Sequence, residues 1–413
     1  MKKTPLAISL TLGTSIFIPN VFANGLAINE QSVSGAGTNY AGRASTPRDA
    51  STLYSNPAGL VRLEGSQITG GTGFIQAKTK IREVASSTAG TNRGDMVPNT
   101  FVPFGYFSQK INSRWAAGIG VYAPFGIKGE YEKGYAGRAY GLHNEVSVVS
   151  VQPTTSFQIN PQFSLGAGIT FNRIEGVLTN SIPNQYLNVP LNGETSLDIK
   201  GDDTSFGYNL GALVSIVDGL DWGIAYHSKL KFGLEGRTRV KTNIPGAAGR
   251  YKGTLDITMP ESIDTSFSYR WKQWGAYTGA TWMRWSRLSG IEVNNQNAGP
   301  FSRISESLNW KDTYSYAVGV SYDLEPTLQL RAGLGSDPSP TNDADRSVRI
   351  PVGDRYSFTL GAGWKVSSQL TVDVAYARIQ EKWAEVNKYQ YGSYLANFKN
   401  SANTLGVQLT YLF

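Results

Sequence analysis

The sequence predicts an all-β fold, a transmembrane antiparallel β-barrel of about 14 strands with an N-terminal plug in its lumen. Three observations carry this. Spans of roughly ten residues alternate apolar with small or polar side chains, the period of a strand with one face in lipid. Tight turns alternate along the chain with long polar connections. After the extreme N-terminus, no stretch approaches the ~18 consecutive apolar residues that a membrane helix needs.

Residues 1–23 read as a secretory signal. Lys2 and Lys3 precede an apolar run from Leu6 to Val21, and Val21-Phe22-Ala23 has a small-x-small cleavage pattern. Removing both lysines takes the formal net charge from +7 to +5, with both signs scattered along the chain. A nucleic-acid groove needs clustered cations, so that partner is excluded. The composition suits barrel strands and turns, with 46 Gly, 22 Tyr, 17 Phe and 9 Trp but only 4 Met. The absence of Cys excludes disulfides and thiolate metal sites, and fits passage through an oxidising periplasm.

Residues 24–65 are rich in Gly, Ser and Ala and lack sustained alternation, yet Leu53, Tyr54, Leu60, Val61 and Leu63 are too apolar for a solvated tail. A barrel of this size leaves a bore, and a plug would fill it. Residues 66–413 carry the strands, expected over 66–81, 99–111, 113–123, 145–159, 162–177, 203–217, 219–235, 253–271, 274–287, 309–323, 326–336, 353–366, 369–380 and 402–413. The last is representative. Leu405, Val407, Leu409, Tyr411 and Phe413 form a lipid row, and Gly406, Gln408 and Thr410 face the lumen. Long outer loops are expected near 82–98, 124–144, 178–202, 236–252, 288–308, 337–352 and 381–401. An even strand number closes the sheet with both ends periplasmic, and closure leaves no unpaired edge in hydrocarbon. Trp271 and Trp274 flank one tight turn, where an interfacial girdle belongs.

Ordered short motifs then point to a family. Asn24 to Gly35 (NGLAINEQSVSG), Asp49-Ala50, Asn56-Pro57-Ala58, Met259-Pro260-Glu261, Trp310 to Tyr314 and Asp337-Pro338-Ser339-Pro340, with Arg346, Ile350-Pro351 and Asp354-Arg355, span most of the mature chain. In this set the sequence resembles the FadL family of outer-membrane long-chain fatty-acid and hydrocarbon transporters. The resemblance implies a 14-stranded barrel in the bacterial outer membrane, with an N-terminal hatch. It also implies capture of a hydrophobic ligand at outer loops and sideways exit through a wall gap, at a kink in the third strand near Asn-Pro-Ala. Physics favours such a route, because an apolar chain gains roughly 0.8 kcal/mol per buried CH₂ and a greasy tunnel avoids rehydrating it. The family often has Phe as third mature residue, where this chain has Leu26.

The expected gate residues are Leu26, Asn56, Pro57 and Ala58, with Gly118, Gly120 and Pro124 at the third-strand kink. Pro124 cannot donate to a ladder, and Asn56 could satisfy loosened backbone. The expected ligand contacts are Lys311, placed in the lumen by parity with Thr313 and Ser315, and Arg173 as a second carboxylate partner. Phe125, Ile127, Tyr135 and Tyr140 lie in segments that are apolar for an exposed loop and could form a capture groove. Arg270, Arg331 and Arg355 point inward by parity, as partners of the plug. His143 and His227 are the only histidines, and the chain has no nucleophile elbow, phosphate loop or His/Cys metal set, so neither enzyme chemistry nor a cofactor or metal is expected. The expected partners are the hydrophobic ligand, outer-membrane lipid and lipopolysaccharide, around a monomer. Rival readings are a hydrocarbon channel, an open diffusion porin and a surface adhesin.

Overall fold

The computed structural model describes residues 25–189 and 191–413; the expected signal, residues 1–23, lies outside them. Fourteen wall strands are found among the described residues. They are β1 Ser66–Ser86, β2 Thr100–Lys110, β3 Trp115–Glu130, β4 His143–Asn160, β5 Phe163–Pro183 and β6 Glu194–Val217. Next come β7 in two runs, Leu220–His227 and Leu230–Lys241, and β8 in two runs, Gly249–Met259 and Ser262–Trp271. The wall is completed by β9 Trp274–Met283, β10 Thr313–Glu325, β11 Leu328–Asp337, β12 Arg355–Lys365, β13 Leu370–Glu381 and β14 Tyr394–Leu412. Each pairs antiparallel with its neighbour, and β1 pairs with β14 from Gln67↔Leu412 to Ser86↔Tyr394, which closes the barrel. Closure leaves no free sheet edge in the ring, apart from a break between β2 and β3.

Local alternation explains each wall strand. Leu405, Val407, Leu409 and Tyr411 are exposed toward lipid, and Thr404, Gln408 and Thr410 are buried toward the lumen. Tyr314, Tyr316, Val318 and Val320 repeat this on β10, and Tyr356, Phe358, Leu360 and Trp364 on β12. Trp271 pairs with Trp274 across its tight turn and both are exposed, as a girdle requires.

Two expectations need correction. Several strands run well past the lipid band, so 124–130, 178–183 and 394–401, expected in loops, belong to β3, β5 and β14. Above the bilayer the outward face meets water, so polar residues replace the apolar row while the ladder continues. The other correction concerns β7 and β8, expected unbroken. Ser228-Lys229 interrupts one opposite Pro260-Glu261 in the other, because Pro260 has no N–H for the ladder.

Residues 25–65 hold only short helices, Val33–Ala36, Thr52–Ser55 and the 3₁₀ turn Pro57–Arg62. Their bonds reach most of the way round the wall. Backbone N–H groups of Ala44 and Ser45 donate to Ser266 Oγ on β8, Val33 N–H donates to Gln408 on β14, and Thr359 on β12 donates to the Gly37 carbonyl. Such contacts tie the segment to strands on several sides of the ring.

Candidate functional site

The site begins where the β2–β3 ladder stops. The two strands pair from Lys110↔Ala116 only to Gly105↔Val121, although β2 continues to Thr100 and β3 to Glu130. A bulge between Tyr122 and Phe125 follows, centred on Ala123 and Pro124. The vacated edge of β3 is taken by the N-terminal segment. Ile28 N–H donates to the Pro124 carbonyl at 2.9 Å, Gly126 N–H donates to the Leu26 carbonyl at 2.8 Å, and Ala27 bridges Phe125. Gln31 then donates its amide N–H to the Ala123 carbonyl, and Tyr106 on β2 donates its hydroxyl to the Gln31 carbonyl at 3.0 Å. A three-residue surrogate strand and one glutamine therefore satisfy backbone groups that an unfilled gap would orphan at several kcal/mol each.

Behind this gap lies a lumenal cavity with about 1590 Å³ of empty space, open solvent at its mouths included. Ala27, Ile28, Phe104, Pro124 and Phe125 line it at the gap, and Val33, Leu230, Met283 and Ile379 give it further apolar wall. Charged groups meet at another side. Arg43 lies 3.4 Å from Asp264, donates to Asn29 Oδ1 at 3.1 Å, and sits 4.9 Å from the Tyr40 ring centre. His227 lies 3.5 Å from Asp264 and packs on Tyr54, ring centres 5.0 Å apart. Burial pushes the Tyr54 phenol up to about 12, against the pull of Arg43, so it remains a neutral hydroxyl. Burial likewise pushes the Glu30 carboxyl up, opposed by Arg355 and nearby backbone N–H groups. Arg355 itself pairs with Asp337. The cavity thus combines an apolar lining with a few fixed polar groups, the usual chemistry of a small-molecule site.

The Asn-Pro-Ala turn sits elsewhere than expected. Asn56 donates from Nδ2 to the carbonyls of Ala44 at 2.6 Å and of Ala212 on β6 at 3.0 Å, while its Oδ1 accepts from Ala58 N–H. Ser156 and Ser164 donate to the Ala58 carbonyl at 3.0 and 2.9 Å. A side chain on Gly166 would overlap Pro57 and Ala58, and one on Gly211 would overlap Asn56. The turn is therefore seated on β4, β5 and β6, and the partner expected of Asn56 at the third strand is supplied by Gln31. Gly118 and Gly120 do precede the third-strand irregularity, but the space beside them is filled, by Leu53 at both and by the Tyr106 ring at Gly120.

The two cations expected to meet a ligand carboxylate, Lys311 and Arg173, are not in the cavity, whereas Arg355 lines it. Lys311 is exposed in the connection before β10, where strand parity does not apply. Lys311→Ala is expected to change fatty-acid affinity by less than about twofold, as most exposed substitutions do, in a calorimetric titration. Arg173 is exposed on the outer surface of β5, paired with Glu175 at 3.0 Å and Asp202 at 3.1 Å. Arg331 does face the N-terminal segment, donating to the Ser34 carbonyl and pairing with Asp373, whereas Arg270 is largely exposed. Leu26 and Ile127 are buried in the outer apolar cluster, and Phe125 alone of the four expected groove residues lines the cavity. Tyr135 stacks on Tyr131 at 3.9 Å and bonds Tyr394, and Tyr140 donates to the Gly392 carbonyl, so both rings are engaged in loop packing.

Sequence reasoning missed Arg43, Asp264 and His227 as a group, which lie 221 residues apart in sequence from first to last yet converge at the cavity. It also missed an outer apolar pocket on the lumenal face of β5 to β8, lined by Ile174, Leu178, Ile199, Leu234, Leu255 and Ile257. A signal for the pocket was present. On β5 the lumenal parity changes from Thr170 and Asn172 to Ile174 and Leu178.

Comparisons with known proteins fit this architecture. The sequence model of the family described as outer membrane protein transport protein (OMPP1/FadL/TodX) matches residues 16–413. Outer membrane protein P1 of Haemophilus influenzae is 26% identical over 90% of this chain and 89% of its own length. The long-chain fatty acid transport protein of Salmonella typhi is 23% identical over 98% of each chain. Among solved structures, a Pseudomonas aeruginosa FadL homologue superposes with a TM-score of 0.86 at 21% identity, covering 94% of this chain and 99% of that one. The P. putida toluene transporter TodX gives a TM-score of 0.68 at 15% identity, over 95% and 99%. The structural likenesses speak to fold alone.

Proposed function

This chain belongs to the outer membrane protein transport family OMPP1/FadL/TodX, channels rather than enzymes that move hydrophobic compounds across the outer membrane, and from that premise we propose that it takes up long-chain fatty acids and releases them sideways between β2 and β3. One observation carries the route. The wall ladder ends at Gly105↔Val121, and the residues that fill the break, Ala27, Ile28, Pro124 and Phe125, also line the cavity. Withdrawal of the surrogate strand would join cavity to bilayer without breaking any pairing between wall strands. In this reading residues 25–65 are a hatch, seated on glycines and serines of the wall. The apolar pocket on β5 to β8 offers a first contact for ligand below the packed outer loops.

The charged side of the cavity supports a fatty acid over an uncharged hydrocarbon. Arg43 is held 3.4 Å from Asp264 and faces an apolar chamber, so it can exchange that carboxylate for a ligand's with a charge-assisted hydrogen bond. Arg43→Gln is expected to weaken oleate binding by about tenfold, the scale of one charged hydrogen bond. Toluene binding should change less than about twofold. The check is equilibrium binding of both ligands to purified protein, beside uptake of each by cells that lack their own transporter. Equal loss for both ligands would reject Arg43 as carboxylate partner, and selective uptake of toluene would favour the hydrocarbon reading.

A further inference from the structure

The outward row of β1 changes chemistry at the outer edge of the lipid band. Ile68 and Phe74 face lipid, and the positions that follow on the same face are Gln76, Lys78, Lys80 and Arg82. The adjacent strand does the same, with Leu405 followed outward by Asn403, Ser401 and Lys399. On β13, Tyr376 is followed by Arg378 and Gln380, and Lys382 comes just beyond the strand. The register lays these rows side by side, pairing Lys80 with Lys399, Lys78 with Ser401 and Arg378 with Asn403.

Two features make this rim more than a solvated face. Lys80 and Lys399 are directly opposed, a like-charge pairing that destabilises an antiparallel ladder unless an anion sits between. Lys78 and Lys80 have no ion-pair partner among the described residues. The rim is also braced. Arg82 lies 3.7 Å from the Trp383 ring centre and Lys399 lies 5.8 Å from it, so two cations share one aromatic platform. The local acids are already engaged: Glu83 lies 3.4 Å from Arg82, Asp354 lies 3.3 Å from Lys382, Asp95 accepts from the Thr79 N–H at 3.0 Å and Glu385 accepts from Asn387.

We infer that this rim binds lipopolysaccharide of the outer leaflet through its lipid A phosphates. Acyl chains would lie on Phe74, Leu405 and Tyr376, and the phosphates would meet Lys78, Lys80 and Lys399 directly above. The height of the cationic row selects this partner. Lys78 to Arg82 spans ~13 Å of strand, more than one phospholipid headgroup and suited to a phosphorylated glycolipid. The site is independent of the transported ligand, since it faces outward.

Native mass spectrometry of the full chain, titrated with diphosphoryl lipid A, tests it. Wild-type protein should bind lipid A at least about tenfold more tightly than its dephosphorylated form or phosphatidylglycerol. The triple variant Lys78→Gln, Lys80→Gln, Lys399→Gln should lose that preference. A control on another cationic outer surface, Arg239→Gln with Lys241→Gln, should keep it, because there Arg239 stands opposite the acid Asp198 in the ladder. Equal binding of the two lipid A forms or of phosphatidylglycerol, an unaffected triple variant, or equal loss in the control would each overturn the assignment. Should the triple variant fail to fold, the wild-type comparison of lipids decides alone.

Discussion

Oxidised Ala27→Cys/Phe125→Cys protein is expected to lose ligand uptake by more than about tenfold and to regain it on reduction, with the barrel intact throughout. Ala27 and Phe125 form an antiparallel bridge flanked by the bonds Ile28 N–H to Pro124 and Gly126 N–H to Leu26. That places them in a non-hydrogen-bonded pair, whose Cα atoms lie ~4.5 Å apart, within the ~4.4–6.8 Å that a disulfide accepts. The chain has no Cys, so no competing bridge can form. The closed bond fixes the surrogate strand to β3 and holds the wall shut, while the remainder of the N-terminal segment keeps its own anchors. Uptake of labelled oleate before and after reduction is the measurement. Undiminished uptake by the cross-linked protein would eliminate sideways exit and favour a path straight to the periplasm.

The second large effect is expected at the seat of the Asn-Pro-Ala turn. Gly166→Val should unseat the N-terminal segment. A Cβ there overlaps the backbone of Pro57 and Ala58, which cannot rotate away as a side-chain tip could. Overpacking of this kind typically destabilises by ~1–3 kcal/mol. Here the strain falls on a segment held by scattered single bonds rather than by a continuous ladder like that of β5 with its neighbours, so the segment should yield first. Residues 25–65 should become cleavable by protease, and planar bilayers should show an ion conductance that wild-type protein lacks. Gly105→Ala is the control, since a Cβ at Gly105 meets nothing within 4 Å. A protected segment and no conductance in Gly166→Val would show that the wall strand, not the segment, absorbs the strain.

The strand pattern was legible in the sequence because its cause is local. Successive side chains of a strand point to opposite faces, so Leu405 to Phe413 announce a lipid row without knowledge of any neighbour. Closure of an even set of such strands follows from the absence of water in the bilayer, and the tight turns between them carry their own Asn, Asp and Gly signals. The same local logic failed just outside a strand. Lys311 shares parity with Thr313, but the ladder begins only at Thr313, so its side chain was free to turn to solvent.

What the tertiary structure decided are relations between distant segments. Asn56 was recognisable as a residue that would satisfy loose backbone, but only three-dimensional packing chose Ala44 and Ala212 as its partners, where Gly166 and Gly211 leave room for the turn. Pro124 marked a ladder break in sequence, whereas Gln31 and the backbone of Leu26 and Ile28 as its fillers depended on where the N-terminal segment enters the ring. Arg43, His227 and Asp264 come from three separate elements, and no periodicity links them. Their encounter is set by how the N-terminal segment folds against β7 and β8, an outcome of long-range packing that a period-two pattern does not encode.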